Sequence, residues 1–564
     1  MRWATDRIGD TGVVAFVTGG GWVTSNSGDG IRLSLASEYS RIYVYNLRGD
    51  QRGDWKREGG KVFGEGSQNS IAILIGVKDP AYTGPCEIYY RDIGDYLSRE
   101  EKLHIVAAGA LDAVEWETIT PNAEGDWTNQ RNEEFQAWPT MGNKRAKSAE
   151  AAVFKTYSHG LSTNRDPWVY NYSRKRLDSN VQRLIGNYNS QLEGFSEYCR
   201  RLGVTRPTEA TVNEYLSGQP EATDPSRIKW SRGLRRHLSR NAAVVHRPAS
   251  SVIGTYRPFC LQHVYFDSFL NEERSQLASF FPTPHHANLG IVLTGPSSHF
   301  EFTPFVTDQL PNLHALDTAQ YFPRWTYEKP ESSDSELDFA PADAADLDSW
   351  GYRRIDNITD DTLGLYSSAI GDQVDKDNIF YYVYGLLHDS AYRSTYASDL
   401  KKALPHIPTP DTRERFEQLA AAGRRLSDLH VNYQTAVPYP LDLQLKPGTP
   451  LDDRETWRVS RMKWGKKKDP ETGKNVDDRT TIIYSPKITI TGIPEVAERY
   501  MLGPRSALAW LIDRYQVRTD KASGIVNDPN DWCDEHDDFT YVVDLIKRVT
   551  TVAVETMKIV DSLR

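Results

Sequence analysis

The sequence predicts a mixed fold: a partial, doubly wound α/β sheet at the N-terminus, followed by a larger α+β region. Three observations carry this. Short apolar runs alternate with a helical stretch over residues 12–130. From about 131, polar, aromatic and basic residues mix instead. Long amphipathic periodicities then fill much of the second half. At 564 residues the chain exceeds one compact core. The expected domains are 1–130, 131–330, an acidic linker at 331–350, and 351–564.

Residues 12–18 (GVVAFVT) read as a buried strand of a mostly parallel sheet, and a glycine turn follows. A helix is expected over 29–38, with strands over 41–47, 70–77 and 88–90 and helical sequence over 100–111. Met1–Ile8 reads as the end of an amphipathic helix begun earlier, as if the chain started inside a domain. A helix is expected over 181–202, and a strongly basic stretch covers 224–246. Residues 331–349 hold seven acidic residues and no basic ones, as a solvated linker would. Residues 377–387 read as a helix or another buried element, and 413–429 as an amphipathic helix. Residues 457–462 and 480–484 alternate like strands flanking a basic loop at 463–468. Helices are expected over 494–502, 505–515 and 541–563.

Composition excludes some classes. No run approaches the ~20 apolar residues of a membrane span, and the N-terminus has no signal-peptide core. Four scattered cysteines give neither zinc spacing nor a disulfide framework, which suits a cytoplasmic protein. The net charge of −10 argues against a uniformly cationic surface but permits local basic patches.

Motif by motif, chemistry is scarce. Gly19, Gly20 and Gly21 follow a strand, but the G-x-G-x-x-G spacing is absent, so a tight turn is the simpler reading. Thr472, Gly473 and Lys474 lack the rest of a P-loop. Asp528, Pro529 and Asn530 do not follow an apolar strand, as an amino-methyltransferase tetrapeptide would. His285, His286 and His388 have no companion ligands at a recognisable spacing. Basic clusters are the positive signal. On a helix, Arg232, Arg235, Arg236 and Arg240 would share one face, able to span phosphates or reach a guanine edge. Lys144, Arg145 and Lys147 are a weaker cluster. Arg174, Lys175 and Arg176 follow alternating Trp168, Tyr170 and Tyr172, a pattern that suits nucleic acid or a half-buried strand equally. Lys463, Lys466, Lys467 and Lys468 suggest a cationic hairpin tip, against an ordinary exposed turn.

The order of several longer strings carries a family resemblance. GVVAFVTGGGWV (12–23) and RIYVYNLRGDQR (41–52) resemble the late strands of an N6-adenine methyltransferase core. YRPFC (256–260), FPTPHHANLGIVLTG (281–295), IFYYVYGLLH (379–388), AAGRRLSDLHVNY (421–433), ITGIPEVAERY (490–500) and RYQVRTDKASGIVNDPNDW (514–532) follow. Together the chain resembles the C-terminal part of single-chain Type ISP restriction–modification enzymes. The resemblance implies a methyltransferase-like sheet followed by a target-recognition region for double-stranded DNA. It implies S-adenosylmethionine, ATP and magnesium for the full-length enzyme, but no residue of this chain matches the motifs that bind them. The chain alone is therefore expected to be inactive, and to need the rest of a methyltransferase core on the same polypeptide or a partner. Arg48 and Arg52, just after a core strand, join the candidates to face DNA. A specificity subunit that serves a separate methyltransferase or motor is the other reading, and an enzyme of another fold a third.

Overall fold

The computed structural model describes residues 1–51, 55–64, 68–143, 152–296, 298–330, 346–470 and 473–563. Arg52, Lys144, Arg145, Lys147 and most of the acidic linker lie outside the described residues. Two compact units emerge. Unit 1 comprises residues 1–140, 295–302 and 393–408; unit 2 comprises 141–294, 303–392 and 409–564. No described helix is long and apolar enough to cross a membrane.

Unit 1 is built on a five-stranded sheet. Its strands are β1 (Gly12–Gly19), β2 (Arg41–Arg48), β3 (Ile71–Lys78), β4 (Glu87–Asp92) and β5 (Glu117–Ile119), in the spatial order β1-β3-β2-β4-β5. The strand and helix positions follow the apolar runs, but the direction does not. Only β2 and β4 run parallel; the β1–β3, β2–β3 and β4–β5 pairs are antiparallel. The mostly parallel, doubly wound expectation is thus corrected for this sheet. An apolar run fixes burial, whereas direction is set by how the intervening chain crosses, which the run does not encode. Burial also differs from a two-sided parallel sheet. Val14 is buried, while Val13 and Val17 on the other face of edge strand β1 are 62% and 55% exposed.

Ion pairs join the pieces of unit 1. The Asp126 carboxylate, fully buried, pairs with Arg131 at 2.9 Å, Lys402 at 2.9 Å and Arg32 at 3.4 Å. Arg32 also donates to the carbonyls of Trp22 at 2.7 Å and Gly125 at 2.6 Å. Burial alone would raise the Asp126 pKa; Lys402 and Arg131 outweigh it and hold the group below its ordinary value.

Unit 2 contains several small sheets and the long helices. The helix Arg174–Leu202 buries Leu177, Val181, Leu184, Tyr188, Leu192 and Phe195, one stripe at helical spacing, and ends at Gly203 with φ 68°. It begins earlier than expected because Ser173 caps it, accepting from the Arg176 N–H. Strands from both sides of the acidic linker pair: Trp325–Glu328 runs antiparallel to Arg353–Asp356.

The expected helices at 377–387 and 413–429 form as Lys376–Leu386 and Arg413–Val431. They cross at Gly385 and Gly423. A Cβ on Gly423 would lie 1.9 Å from the Tyr381 carbonyl oxygen, and one on Gly385 would lie 2.1 Å from that of Leu419. Only glycine permits this approach of backbone to backbone. Residues 457–462 form no strand; the lysine segment itself is the strand Lys463–Lys468, paired with Asn475–Ile483. The 494–502 expectation is also corrected: Glu495–Arg499 is a single 3-10 turn, followed by the short strands Met501–Leu502 and Arg505–Ser506. The helix beyond them, Ala507–Arg514, begins later than 505.

Replacing Gly423 by Ala is expected to destabilise unit 2 by about 3 kcal/mol or more, since neither helix backbone can yield. Gly186→Ala, at an exposed helical site with nothing within 4 Å of the new Cβ, is expected to stabilise by about 0.5–1 kcal/mol. Denaturant midpoints of the two variants against wild type check both.

Candidate nucleic-acid interface

The strongest basic segment folds as expected. Arg232–Ser239 is a helix capped by Ser231, with Leu234 and Leu238 buried beneath it. Arg232, Arg236 and Arg240 are exposed at i, i+4 and i+8, and none makes an ion pair among the described residues. Arg235 turns inward, and its Nε is buried without an acceptor. Thus three of the four arginines form the exposed row. Below the helix, the buried Arg165 donates to Ser231 Oγ and to the Leu270 carbonyl, and burial lowers its pKa to about 10. Glu272 accepts from the Gly233 N–H at 3.1 Å and fixes the first turn. The row's charge is felt locally: burial lowers the His237 pKa, and Arg240 and Arg236 lower it further.

Arg174, Lys175 and Arg176 occupy the first turn of the long helix and are all exposed. Glu535 covers that turn. It accepts from Ser173 Oγ at 2.6 Å, from the Arg174 N–H at 3.0 Å and from the Lys175 N–H at 3.4 Å. Arg176 pairs with Asp531 at 2.8 Å, which leaves the Arg174 and Lys175 side chains open beside Asp178, Ser179 and Gln182. The aromatic part of this pattern is corrected: Trp168, Tyr170 and Tyr172 are 1–2% exposed and belong to the core. The strand reading holds for Tyr170, in the short strand Tyr170–Asn171, whereas Asp166–Val169 is a helical turn.

The lysine segment is not a hairpin tip. Its residues lie along a strand with a bulge between Trp464 and Gly465, and the turn comes after Lys468. The partner strand supplies carboxylates: Lys466 meets Asp477 at 2.6 Å and Lys467 meets Asp478 at 4.0 Å. Lys463 and Lys468 are exposed and have no such partner among the described residues. Arg48 is neutralised inside unit 1 by Asp92 at 2.6 Å and by Asp95, and adopts φ 55° at a bulge. It is not an open DNA-facing cation.

The other motifs prove structural. Gly20 sits where a Cβ would approach Ser70 Oγ to 2.8 Å, so close packing accounts for a glycine in this turn. His286 bonds Thr283 Oγ1 at 2.7 Å and Asp348 at 2.8 Å, which ties down the end of the acidic segment. Among the described residues, no group of three or more His, Cys, Asp or Glu could hold a metal ion. Sequence clusters missed one set of cations altogether: Arg257, Arg505, Arg514 and Arg518, which are scattered in sequence and meet only in the fold. Arg257, Arg514 and Arg518 stand in the strings YRPF and RYQVRT, and Arg505 in neither.

The fold is mixed α/β with several small sheets and exposed cationic faces. The family model for the Type ISP C-terminal specificity domain matches residues 152–545, and the chain belongs to that family. Three solved structures are similar. A nuclease-deletion mutant of the Type ISP restriction-modification enzyme LlaGI, in complex with a DNA substrate mimic, has a TM-score of 0.80 and 34% identity, covering 100% of this chain and 47% of that one. The ATP-dependent Type ISP enzyme LlaBIII bound to DNA has a TM-score of 0.80 and 31% identity, covering 100% and 33%. The DrdV–DNA complex has a TM-score of 0.78 and 29% identity, covering 99% and 51%. The chain therefore spans about half or less of each of these three structures. No curated protein matches it.

Glu535 gives a pH-dependent prediction. Burial raises its pKa, but the bonds from Ser173 and the Arg174 and Lys175 N–H groups outweigh this and hold it below the ordinary glutamate value. Its stabilisation is complete above the ordinary glutamate range and is lost as pH falls through the lower folded value. Glu535→Ala is expected to cost about 1–2 kcal/mol at pH 7, with the difference from wild type shrinking below pH 4 or so. Urea denaturation across pH measures it.

Proposed function

We propose that the chain recognises double-stranded DNA within a Type ISP restriction–modification enzyme. In this reading unit 2 is the recognition body and directs adenine N6 methylation and restriction by catalytic parts outside this chain. The sheet of unit 1 is the end of the methyltransferase core. S-adenosylmethionine, ATP and magnesium would serve those other parts.

The observation that carries this reading is the row Arg232, Arg236 and Arg240. At 1.5 Å rise per residue it extends about 12 Å, comparable to the width of the major groove. It stays cationic in a chain of net charge −10 because no carboxylate among the described residues pairs with it. Such a row binds phosphates with release of counterions, and one of its forks can address a guanine edge. Methylation requires the adenine to leave the stack, so a rigid clamp beside the catalytic pocket is what the reaction needs from this part.

The open face of β1 supports the second half of the reading. Val13 pairs with Val77 and Val17 with Ile73 on that face, and β1 has no neighbour beyond it in the described sheet. An apolar sheet face at an open edge calls for more polypeptide. That polypeptide would be the rest of the core, on the same chain or, in the alternative reading, on a partner.

Two outcomes are expected. Changing Arg232, Arg236 and Arg240 together to Ala should weaken duplex binding and flatten its logarithmic salt slope by about three, as measured by titration at several salt concentrations. Selection from randomised duplexes should enrich one short motif; failure of the chain to bind DNA even at low salt overturns the reading. A thiol at Val17→Cys should react rapidly with maleimide in this chain, and be protected once a complete methyltransferase core is present.

A further inference from the structure

Four arginines lie near one another in unit 2, three of them around one carboxylate. Arg257 ends the strand Ser251–Arg257; Arg505 begins the strand Arg505–Ser506; Arg514 ends the helix Ala507–Arg514; Arg518 lies in Arg518–Thr519. Asp513 faces the last three. Its carboxylate accepts from Arg514 Nε at 2.6 Å and from Arg518 Nη2 at 3.0 Å. Arg257 donates to Asn312 Oδ1 at 3.1 Å and lies over the Tyr256 ring at 4.2 Å. Three of the four guanidinium groups are thus held in place by fixed partners.

Arg505 is different. Its guanidinium lies over the Trp510 ring at 4.9 Å and makes no hydrogen bond or ion pair among the described residues. It is half-buried, and burial lowers its pKa; Asp513 offsets part of this, while Arg514, Arg518 and Arg257 lower it further. Three guanidinium groups around the Asp513 carboxylate leave a local excess of about two positive charges in a partly desolvated place. A planar fork with open donors matches the paired oxygens of a phosphate or a carboxylate, and the anion that a duplex offers is phosphate. The cluster also adjoins the basic segment of the proposed interface: Asp520, two residues beyond Arg518, is held by Ser523 and faces Lys229.

We infer that Arg257, Arg505, Arg514 and Arg518 form a phosphate seat, with Arg505 as its open donor, and that this seat holds a backbone phosphodiester of bound DNA. The last clause rests on the proposed function; the seat itself does not. Asp513 acts by positioning Arg514 and Arg518, and Trp510 by flattening Arg505 against the wall of the seat.

The test uses the whole chain with Arg505→Gln, Arg505→Lys and, as a surface control, Arg206→Gln. Arg505→Gln is expected to weaken duplex binding about tenfold for all sequences and to lower the salt slope by about one; the Lys variant should lose less and the control nothing. Inorganic pyrophosphate is expected to raise the melting temperature of wild type but not of Arg505→Gln. If wild type binds DNA and Arg505→Gln binds it equally well with the same slope, the inference fails and the DNA reading stands. If wild type binds no DNA, that reading fails. Pyrophosphate then decides the seat: Arg505-dependent stabilisation sustains it and none overturns it. Should Arg505→Gln melt well below wild type, Arg518→Gln at its exposed position replaces it, and unchanged binding there overturns the seat.

Discussion

The contact between Gly385 and Gly423 is the constraint on which unit 2 depends. Two helix backbones touch there without side chains between them. That approach brings the end of Arg413–Val431 deep into the core. His430 then reaches Tyr384 Oη at 2.6 Å on one side and Thr556 Oγ1 at 2.9 Å on the other. Burial, with His388 nearby, drives its pKa well below the ordinary value, so the ring is neutral and can donate to one partner while accepting from the other. Thr556 belongs to the C-terminal helix Tyr541–Ser562, so a single imidazole ties three helices together. Phe259 packs edge-to-face against His430 and Tyr433 and passes the same core to the sheet strand Cys260–Tyr265.

Around that core the protein sorts its cations by whether a carboxylate reaches them. Arg48, Arg176 and Lys466 all read as interface candidates, and all are paired. Arg232, Arg236, Arg240, Arg174 and Lys175 are equally basic in sequence and stay open. An exposed pair contributes little to stability, but it removes a charge from the field that a phosphate backbone feels. The open cations are therefore the ones that define an electrostatic face. Glu535 shows the two roles side by side: it takes up the helix N–H groups of Arg174 and Lys175 and leaves their side chains free.

Much of the local architecture was legible. The helix at 29–38 falls where the periodicity put it, and those at 377–387 and 413–429 within one or two residues of it. The arginine row was readable because i, i+4 and i+8 spacing is a property of the helix alone. Of the two readings of Trp168, Tyr170 and Tyr172, the strand holds for Tyr170, and all three rings are buried because core packing covers both sides of the segment. The lysines at 463–468 misled because a run of like charge suggests a loop, whereas an opposing strand with Asp477 and Asp478 makes it a tolerable ladder.

By itself the sequence determined what depends on neighbours along the chain: the main helices, their buried stripes, most of the strands of the first sheet, and the basic helix with its exposed row. The family strings were also in it, since order along a chain needs no fold to be seen. Only the tertiary structure decided the directions in the five-stranded sheet, the glycine crossing at 385 and 423, and which cations are neutralised. It alone brought Arg257 to Arg505, Arg514 and Arg518. The reason is physical: helical periodicity is a short-range property, whereas charge pairing and strand direction depend on contacts between residues whose separation in sequence says nothing about their distance in space.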